Sequence, residues 1–322
     1  MLRRRVRLAD VARQAQVSPA AASHALNGRP GVSDETREKV RQAARDLGYV
    51  PHEGARSMSR GRTDTWGAFF EGDPSSWSAW LQGAISFAEA NGIRMEAHRM
   101  PPLDRRSGVL SGHLASTRLD GLLLLDPNGS DAHLRDFRGG PKPVVIAGRR
   151  SQWFDSVEIH DRLAQEDLLH QLSLGGKRPV VLVATRDQVA REDRRIAAWM
   201  RSSPAVLVPV DVDAPESGVA ALGEILRAKA SAVLCLAGDS TAWGILRECG
   251  LRRISVPGEL AVAGWGDLPF SDWMSPELTT VRIPWEELGL RSARLLHERL
   301  AKPLGERVHR TLDAHLVSRR SA

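Results

Sequence analysis

Between Leu8 and Asn27 the chain reads LADVARQAQVSPAAASHALN, and its polar residues suit contact with a polyanion better than catalysis. Ser18 and Pro19 stand as the N-cap and first residue of a helix. From there Pro19, Ala20, Ser23, His24 and Asn27 fall on an outward side, opposite an inward stripe of Ala22, Ala25 and Leu26. Hydroxyl, imidazole and amide groups on one helix face can exchange hydrogen bonds with base edges and phosphate oxygens. A neutral imidazole donates or accepts a single bond, so His24 cannot make the bidentate contact by which arginine reads guanine.

The elements that must position this face are legible on either side. Leu8, Val11, Ala12 and Ala15 recur at helical spacing, Gln16-Val17 breaks the pattern, and Gly28 ends the second helix. Ser33 caps a third helix, with Asp34 and Glu35 in its first turn, an apolar stripe of Val40, Ala43, Ala44 and Leu47, and Gly48 as its stop. Two short helices joined by a tight turn are the helix-turn-helix arrangement, though any helical hairpin can show the same pattern. Tyr49-Val50-Pro51 forces an extended exit into HEGARSMSRGRTD, a polar linker suited to folding on a partner.

Charge supports the same reading. Residues 1–62 hold 13 Lys and Arg against 6 Asp and Glu, a net of +7, whereas the other 260 hold 32 against 33. A small basic module on a near-neutral body is the footprint of a polyanion binder. No apolar run reaches the ~20 residues that span a bilayer, and MLRRRVRLAD lacks the apolar stretch of a signal peptide, so a cytoplasmic protein without membrane contact is expected. Cys235 and Cys249 form neither a disulfide framework nor a metal-ligand spacing, and Cys235 in AVLCLA reads as a small buried hydrophobe. No phosphate loop, nucleophile elbow or H-E-x-x-H motif occurs, so no catalytic residue, metal or cofactor is implied.

The stretch VRLADVARQAQVSPAAASHALNGRPGVSDETREKVRQAARDLGYVPHEGARSMSRGRT resembles the headpiece of the LacI/GalR repressor family over nearly its whole length, through DVA, VS, S-[RH]-x-x-N, VS-x-x-TR-x-x-V, A-x-x-LGY-x-P and AR-S. The resemblance implies a sequence-specific transcriptional regulator, a homodimeric repressor on a pseudo-palindromic double-stranded DNA operator. It puts Pro19, Ala20 and Ala21 at base edges, with Ser23 and His24 at the next groove-facing positions. Ser18, Asn27, Thr36 and Tyr49 match phosphate-contacting or orienting positions, and Leu8 joins the DNA-binding set. The linker matches a hinge that folds on DNA, where Met58 stands at the apolar minor-groove wedge beside Arg56 and Ser57. Glu53 and Gly54 depart from the hinge pattern, and Gly54 costs ~1 kcal/mol of helix propensity relative to alanine.

From Trp66 onward apolar runs (WGAFFE, RMEAH, GLLLLD, VVIAG, SVEIH, PVVLVAT, AVLVPV, AVLCLAG, LAVAGW) alternate with amphipathic stretches, which predicts parallel sheets covered on both faces. The expected fold is a small all-α helix-turn-helix headpiece (1–50), a hinge (51–62) and a periplasmic-binding-protein-like α/β domain (63–322). The resemblance divides that domain into two Rossmann-like parallel-sheet subdomains, about 63–160 with 286–303 and about 161–285 with 304–322. A small-molecule effector of unknown identity would sit in the cleft at the strands' carboxyl ends.

Trp77, Arg149 and Arg195 match effector-pocket positions of the family, and His160 and Asp267 complete the candidate effector-binding set. Elsewhere the pattern fails: Gly266-Asp267 follows Gly264-Trp265 where members place Asp directly, Ala237-Gly238-Asp239 replaces Ala-Asn-Asp, and His160-Asp161 replaces Asp-Asn. Asp239 is expected to cap the helix starting near Ser240. The two arginines favour an anionic effector over a sugar, and control without any small molecule is the alternative. A solute-binding protein and an α/β enzyme fit less well, given the basic head and the missing motifs. The helices at about 77–90 and 104–117 offer plausible dimer faces, and no trailing heptad suggests a tetramer.

Overall fold

The computed structural model describes residues 6–28, 30–49, 62–70, 74–100, 112, 118–125, 131–132, 134, 140, 142–174, 179–190, 192–202 and 205–322. The chain divides into two compact units after Asp64.

The first unit holds α1 (Leu8–Gln14), α2 (Pro19–Leu26) and α3 (Asp34–Leu47). The reversal between α1 and α2 is tight because Gln16 takes a left-handed φ of 55° and the Val17 amide donates to the Ala12 carbonyl at 2.9 Å. Ser18 Oγ accepts from the Ala21 amide at 3.1 Å and Ser33 Oγ from Thr36 at 3.2 Å, so both expected caps are in place. Gly48 closes α3 at φ 63°, the left-handed conformation that glycine adopts without steric cost. Val11, Ala12, Ala22, Ala25, Val40, Ala43 and Ala44 form the buried core, with Leu8, Val17, Leu26, Leu47 and Tyr49 packed against it. Alanines at most of these contacts let three short helices approach closely in a unit too small for a thick core.

The second unit contains two six-stranded sheets. The first is built from β1 (Thr65–Phe70), β2 (Arg94–Arg99), β3 (Gly121–Leu125), β4 (Val144–Gly148), β5 (Asp155–His160) and β11 (His309–Asp313), in the order β11-β5-β4-β3-β1-β2 and parallel throughout. The second comprises β6 (Val180–Thr185), β7 (Ala205–Val210), β8 (Ala232–Cys235), β9 (Ala261–Gly266), β10 (Thr279–Arg282) and β12 (His315–Val317), in the order β12-β10-β9-β8-β6-β7. Here β12 alone runs antiparallel to its neighbour. Central strands β1, β3, β4, β8 and β9 are buried along their whole length, as strands covered by helices on both faces must be.

Helices flank the sheets: α4 (Pro74–Ala90), α5 (Arg162–Leu174), α6 (Arg186–Ala190), α7 (Arg194–Ser202), α8 (Pro215–Arg227), α9 (Asp239–Arg252) and α10 (Trp285–Ala301). Each subdomain uses one glycine-lined helix pair. A Cβ on Gly83 would meet the Glu286 carbonyl oxygen at 1.9 Å, and one on Gly289 the Trp80 carbonyl oxygen at 1.8 Å, so α4 and α10 touch backbone to backbone. Gly218 and Gly244 do the same for α8 and α9. Gly289→Ala must push α10 off α4, and an unfolding midpoint in urea should report a loss of about 2 kcal/mol or more. An unchanged midpoint would show that the two helices can separate without cost.

The chain crosses between sheets three times: after His160, between Arg282 and Trp285, and at Ala314. The first two lie close to the expected boundaries near 160 and 286. The third does not fall near 303, because His309–Asp313 pairs with β5 and keeps the chain in the first sheet for another ten residues. All three crossings lie at the strands' carboxyl ends, so the carboxyl edges of the two sheets meet there. Of the two proposed dimer helices, α4 gives Trp80, Gly83, Ala84 and Ala88 to the interior, and most of 104–117 lies outside the described residues.

Candidate nucleic-acid interface and effector cleft

In the headpiece, α2 leaves Pro19 and Ala20 exposed, with Ala21, Ser23, His24 and Asn27 half-buried. Asn27 Nδ2 donates to Ser23 Oγ at 3.4 Å, which lines up two polar side chains one turn apart. Ser18 Oγ accepts the cap bond on one lone pair, and its proton stays available to a phosphate. Thr36 shares a 2.9 Å hydroxyl contact with Ser33 at the start of α3. Tyr49 packs on the headpiece core, which orients it. Leu8 packs there as well, leaving its backbone amide at the start of α1 as the group able to reach phosphate. On α3, Lys39–Glu35 and Arg45–Glu38 pair at 2.7 and 2.8 Å and neutralise its outer face. Arg56, Ser57 and Met58 lie outside the described residues.

At the carboxyl edges, Trp77 stacks on Phe70 at the end of β1, with ring centroids 4.4 Å apart and planes 21° from parallel. Arg149, following β4, donates to Asp131 at 2.7 Å and to the Arg150 carbonyl at 3.2 Å. Burial would raise the Asp131 carboxyl, but the Arg149 guanidinium, the Gln152 amide and the Ser151 hydroxyl outweigh it and hold the pKa below the usual range. His160 ends β5 exposed, 3.8 Å from Glu158 and 4.0 Å from Asp313.

Arg195, in the first turn of α7, is committed to Asp193. Its Nε lies 2.9 Å and 3.1 Å from the two oxygens of Asp193, a second nitrogen also bonds Asp193, and its guanidinium sits 5.2 Å over the Trp265 ring. Burial disfavours the Arg195 charge, yet the Asp193 carboxylate overrides it and the pKa is raised. Asp267 is equally committed, at a left-handed φ of 54°, to Arg282 at 2.5 Å and Arg319 at 2.7 Å.

Asp239 departs from expectation. It is the first residue of α9 rather than its cap, and its fully buried carboxylate accepts from the Leu268 amide (2.9 Å), Ser271 Oγ (2.9 Å) and Thr280 Oγ1 (2.7 Å). The helix start is instead served by Asp213, which accepts from the Thr241 amide and hydroxyl at 2.8 and 2.7 Å. A Cβ on Gly238 would collide with Asp213, so glycine here leaves room for that cap.

Sequence reasoning missed Arg194, which reaches back to the first sheet's edge through the Ile159 carbonyl at 2.9 Å and Asp161 at 3.2 Å. Neighbouring Arg194 and Arg195 carry no signal that separates a strut from a clamp. Trp265, read only as a strand residue, forms the platform under Arg195.

No group of three His, Cys, Asp or Glu among the described residues could hold a metal ion. No helix among them is long and apolar enough to cross a membrane.

Residues 7–52 match the pattern of bacterial regulatory proteins of the lacI family, and residues 168–322 match the periplasmic binding protein-like domain. The HTH-type transcriptional regulator CelR of Thermobifida fusca is 29% identical over 340 residues, covering 99% of each chain. A solved complex of transcriptional regulator CelR with cellobiose has a TM-score of 0.68 at 27% identity, over 99% of this chain and 100% of that one. The lac repressor dimer bound to operator and the anti-inducer ONPF has a TM-score of 0.84 at 22% identity, over 99% of each chain, a likeness of fold.

Proposed function

We propose that this chain, a member of the lacI family of bacterial regulatory proteins, is a homodimeric transcriptional repressor that binds a pseudo-palindromic operator through α2. The carrying observation is the outward face of α2, with Pro19, Ala20, Ser23 and His24 presented from a basic segment, residues 1–62, of net charge +7. The Pro-Ala-Ala start gives only apolar contact, suited to thymine methyls. Sequence discrimination therefore rests on Ser23, His24, the Met58 hinge and DNA shape. As a regulator of genes it works beside DNA in the cytoplasm and carries out no chemistry of its own.

His24→Ala should cut discrimination between preferred and single-mismatch operators by about 1–3 kcal/mol while leaving non-specific binding nearly unchanged. Gel shifts over a range of salt concentrations, on an operator selected from a random pool, would measure both. Equal losses on specific and non-specific DNA would remove His24 from base reading.

The effector belongs in the cleft where the carboxyl edges meet. Asp239 and Asp267 face protein donors, and Arg149 and Arg195 are paired with Asp131 and Asp193, so the cleft offers a ligand the aromatic surface of Trp77 and the exposed imidazole of His160 rather than an open carboxylate. That composition favours a flat molecule over a plain sugar, although CelR is solved with cellobiose. A ligand closing this cleft would move one subdomain against the other and so change DNA affinity.

The second copy of the chain is best received on an aromatic patch of the second subdomain. Trp273 is 84% exposed and Trp243 43%, and the Trp243 ring lies 6.0 Å from that of Phe270. Solvent-facing tryptophans clustered in this way mark an interface rather than a monomer surface.

A further inference from the structure

We propose that the cavity beside the amino-terminal ends of β5 and β11 is a second small-molecule site, one that takes the phosphate group of a hydroxylated phosphate monoester. It is joined to Arg149 through Asp131, which also binds the lining residues Ser151 and Gln152, and it stands independently of the DNA-binding reading. Its volume of about 590 Å³ falls within the usual range for small-molecule sites, and Arg150, Arg307 and His309 bring three nitrogen-rich groups to one concavity.

The framework around these groups is built. His309 Nδ1 meets Ser156 Oγ at 2.8 Å, which fixes the ring and leaves Nε2 for a ligand. Arg307 is anchored by one nitrogen to the Gln152 carbonyl, a neutral partner that leaves its charge uncompensated. The Arg150 guanidinium has no hydrogen bond or ion pair among the described residues. Asp155, at the start of β5, is already held by Arg299 at 2.6 and 2.8 Å, and Asp131 by Arg149 at 2.7 Å. Two guanidinium forks and an imidazole match the three outer oxygens of a phosphate monoester, since guanidinium binds such groups through paired N–H donors. Glu306 also lines the cavity. Its carboxylate repels a polyanion but accepts hydrogen bonds from hydroxyls, which favours a sugar- or glycerol-type ester over a nucleic acid or polyphosphate.

His309 adds a proton linkage. Burial, Arg150 and Arg307 lower its pKa, while Asp155 and Glu158 oppose them. A dianion placed between the two arginines would cancel their effect and raise the His309 pKa, so binding takes up a proton and tightens as pH falls.

The test uses the full chain without DNA, following histidine ring resonances during titration with inorganic sulfate, which stays a dianion over this pH range, and with a hexose 6-phosphate. His309→Gln identifies the His309 signal. Both probes should shift that signal saturably, with tighter binding at pH 6 than at pH 8. Arg150→Gln, an exposed change, should weaken binding about tenfold, and His309→Gln should abolish the pH dependence. The site is overturned if other histidines respond while His309 does not, or if Arg150→Gln binds sulfate as tightly as the parent. Sulfate binding with exclusion of the ester would overturn the ligand class.

Discussion

Trp273→Asp is expected to leave a monomer whose operator affinity falls on the order of a hundredfold or more, because two tethered heads on two half-sites become one. Trp273 is the most exposed aromatic among the described residues, and it sits beside Phe270 through a 3.0 Å backbone bond to that residue's carbonyl. The next residue, Met274, is buried in the second subdomain's core, so the loop is anchored and the indole is free to serve an outside partner. In a two-fold interface the same patch meets itself, so one substitution places two carboxylates in the contact and each must lose water. Because the Trp273 side chain makes little contact within its own chain, folding should survive. Sedimentation equilibrium and operator gel shifts would show the effect, with Leu304→Asp as a control at another exposed apolar residue. A Trp273→Asp dimer with parental operator affinity would place the interface elsewhere.

The second large effect concerns pH and Asp239. Burial pushes its carboxyl up to about 6 from an ordinary value of 3.8; the three donors around it oppose that rise, and the Asp267 charge adds to it. A carboxyl whose pKa is raised in the folded state contributes stability that is complete below 3.8 and lost as pH climbs through 6. That range corresponds to about 3 kcal/mol at most, at 1.4 kcal/mol for each pH unit. Asp239→Asn keeps an oxygen for Leu268 and Ser271 and can donate to Thr280 once that hydroxyl turns round, so the network survives without the charge. The expected result is a variant more stable than the parent at pH 7.5, by about 1–2 kcal/mol, with the advantage gone at pH 4.5. Asp239→Ala instead strands buried donors and should fall about 3 kcal/mol below the parent at pH 4.5, with the gap about 1–2 kcal/mol smaller at pH 7.5, where the parent carries the buried charge. Urea unfolding at the two pH values decides it, and parallel pH profiles for the parent and Asp239→Asn would refute the buried-charge account.

What the sequence made legible follows the range of the interactions. Headpiece helices are set by residues three or four apart, and Ser18, Gln16, Ser33 and Gly48 announce their own roles. Central strands announce themselves as continuous apolar runs because both faces are covered. The short edge strands β11 and β12 have a single buried residue between them and carry no such run, which is why the third crossover was expected too early. Site chemistry was the least legible. Asp267 is neutralised by Arg319, 52 residues away in sequence, and Asp239 accepts a hydrogen bond from Thr280, 41 residues away, and no spacing rule reaches that far. The cleft therefore looked furnished with candidate ligands that the fold spends on itself.

Ala314 is the one residue between a strand of the first sheet and a strand of the second, and it is buried. Its amide donates at 2.8 Å to the carbonyl of His160, the last residue before the first crossover. Two of the three connections are thus stapled together at one peptide group, so neither subdomain can swing on one connection alone. The exchange rate of that single amide proton becomes a gauge of how often the hinge lets go. A compound that seats in the cleft should slow it, which gives a way to recognise the effector without knowing a single regulated gene.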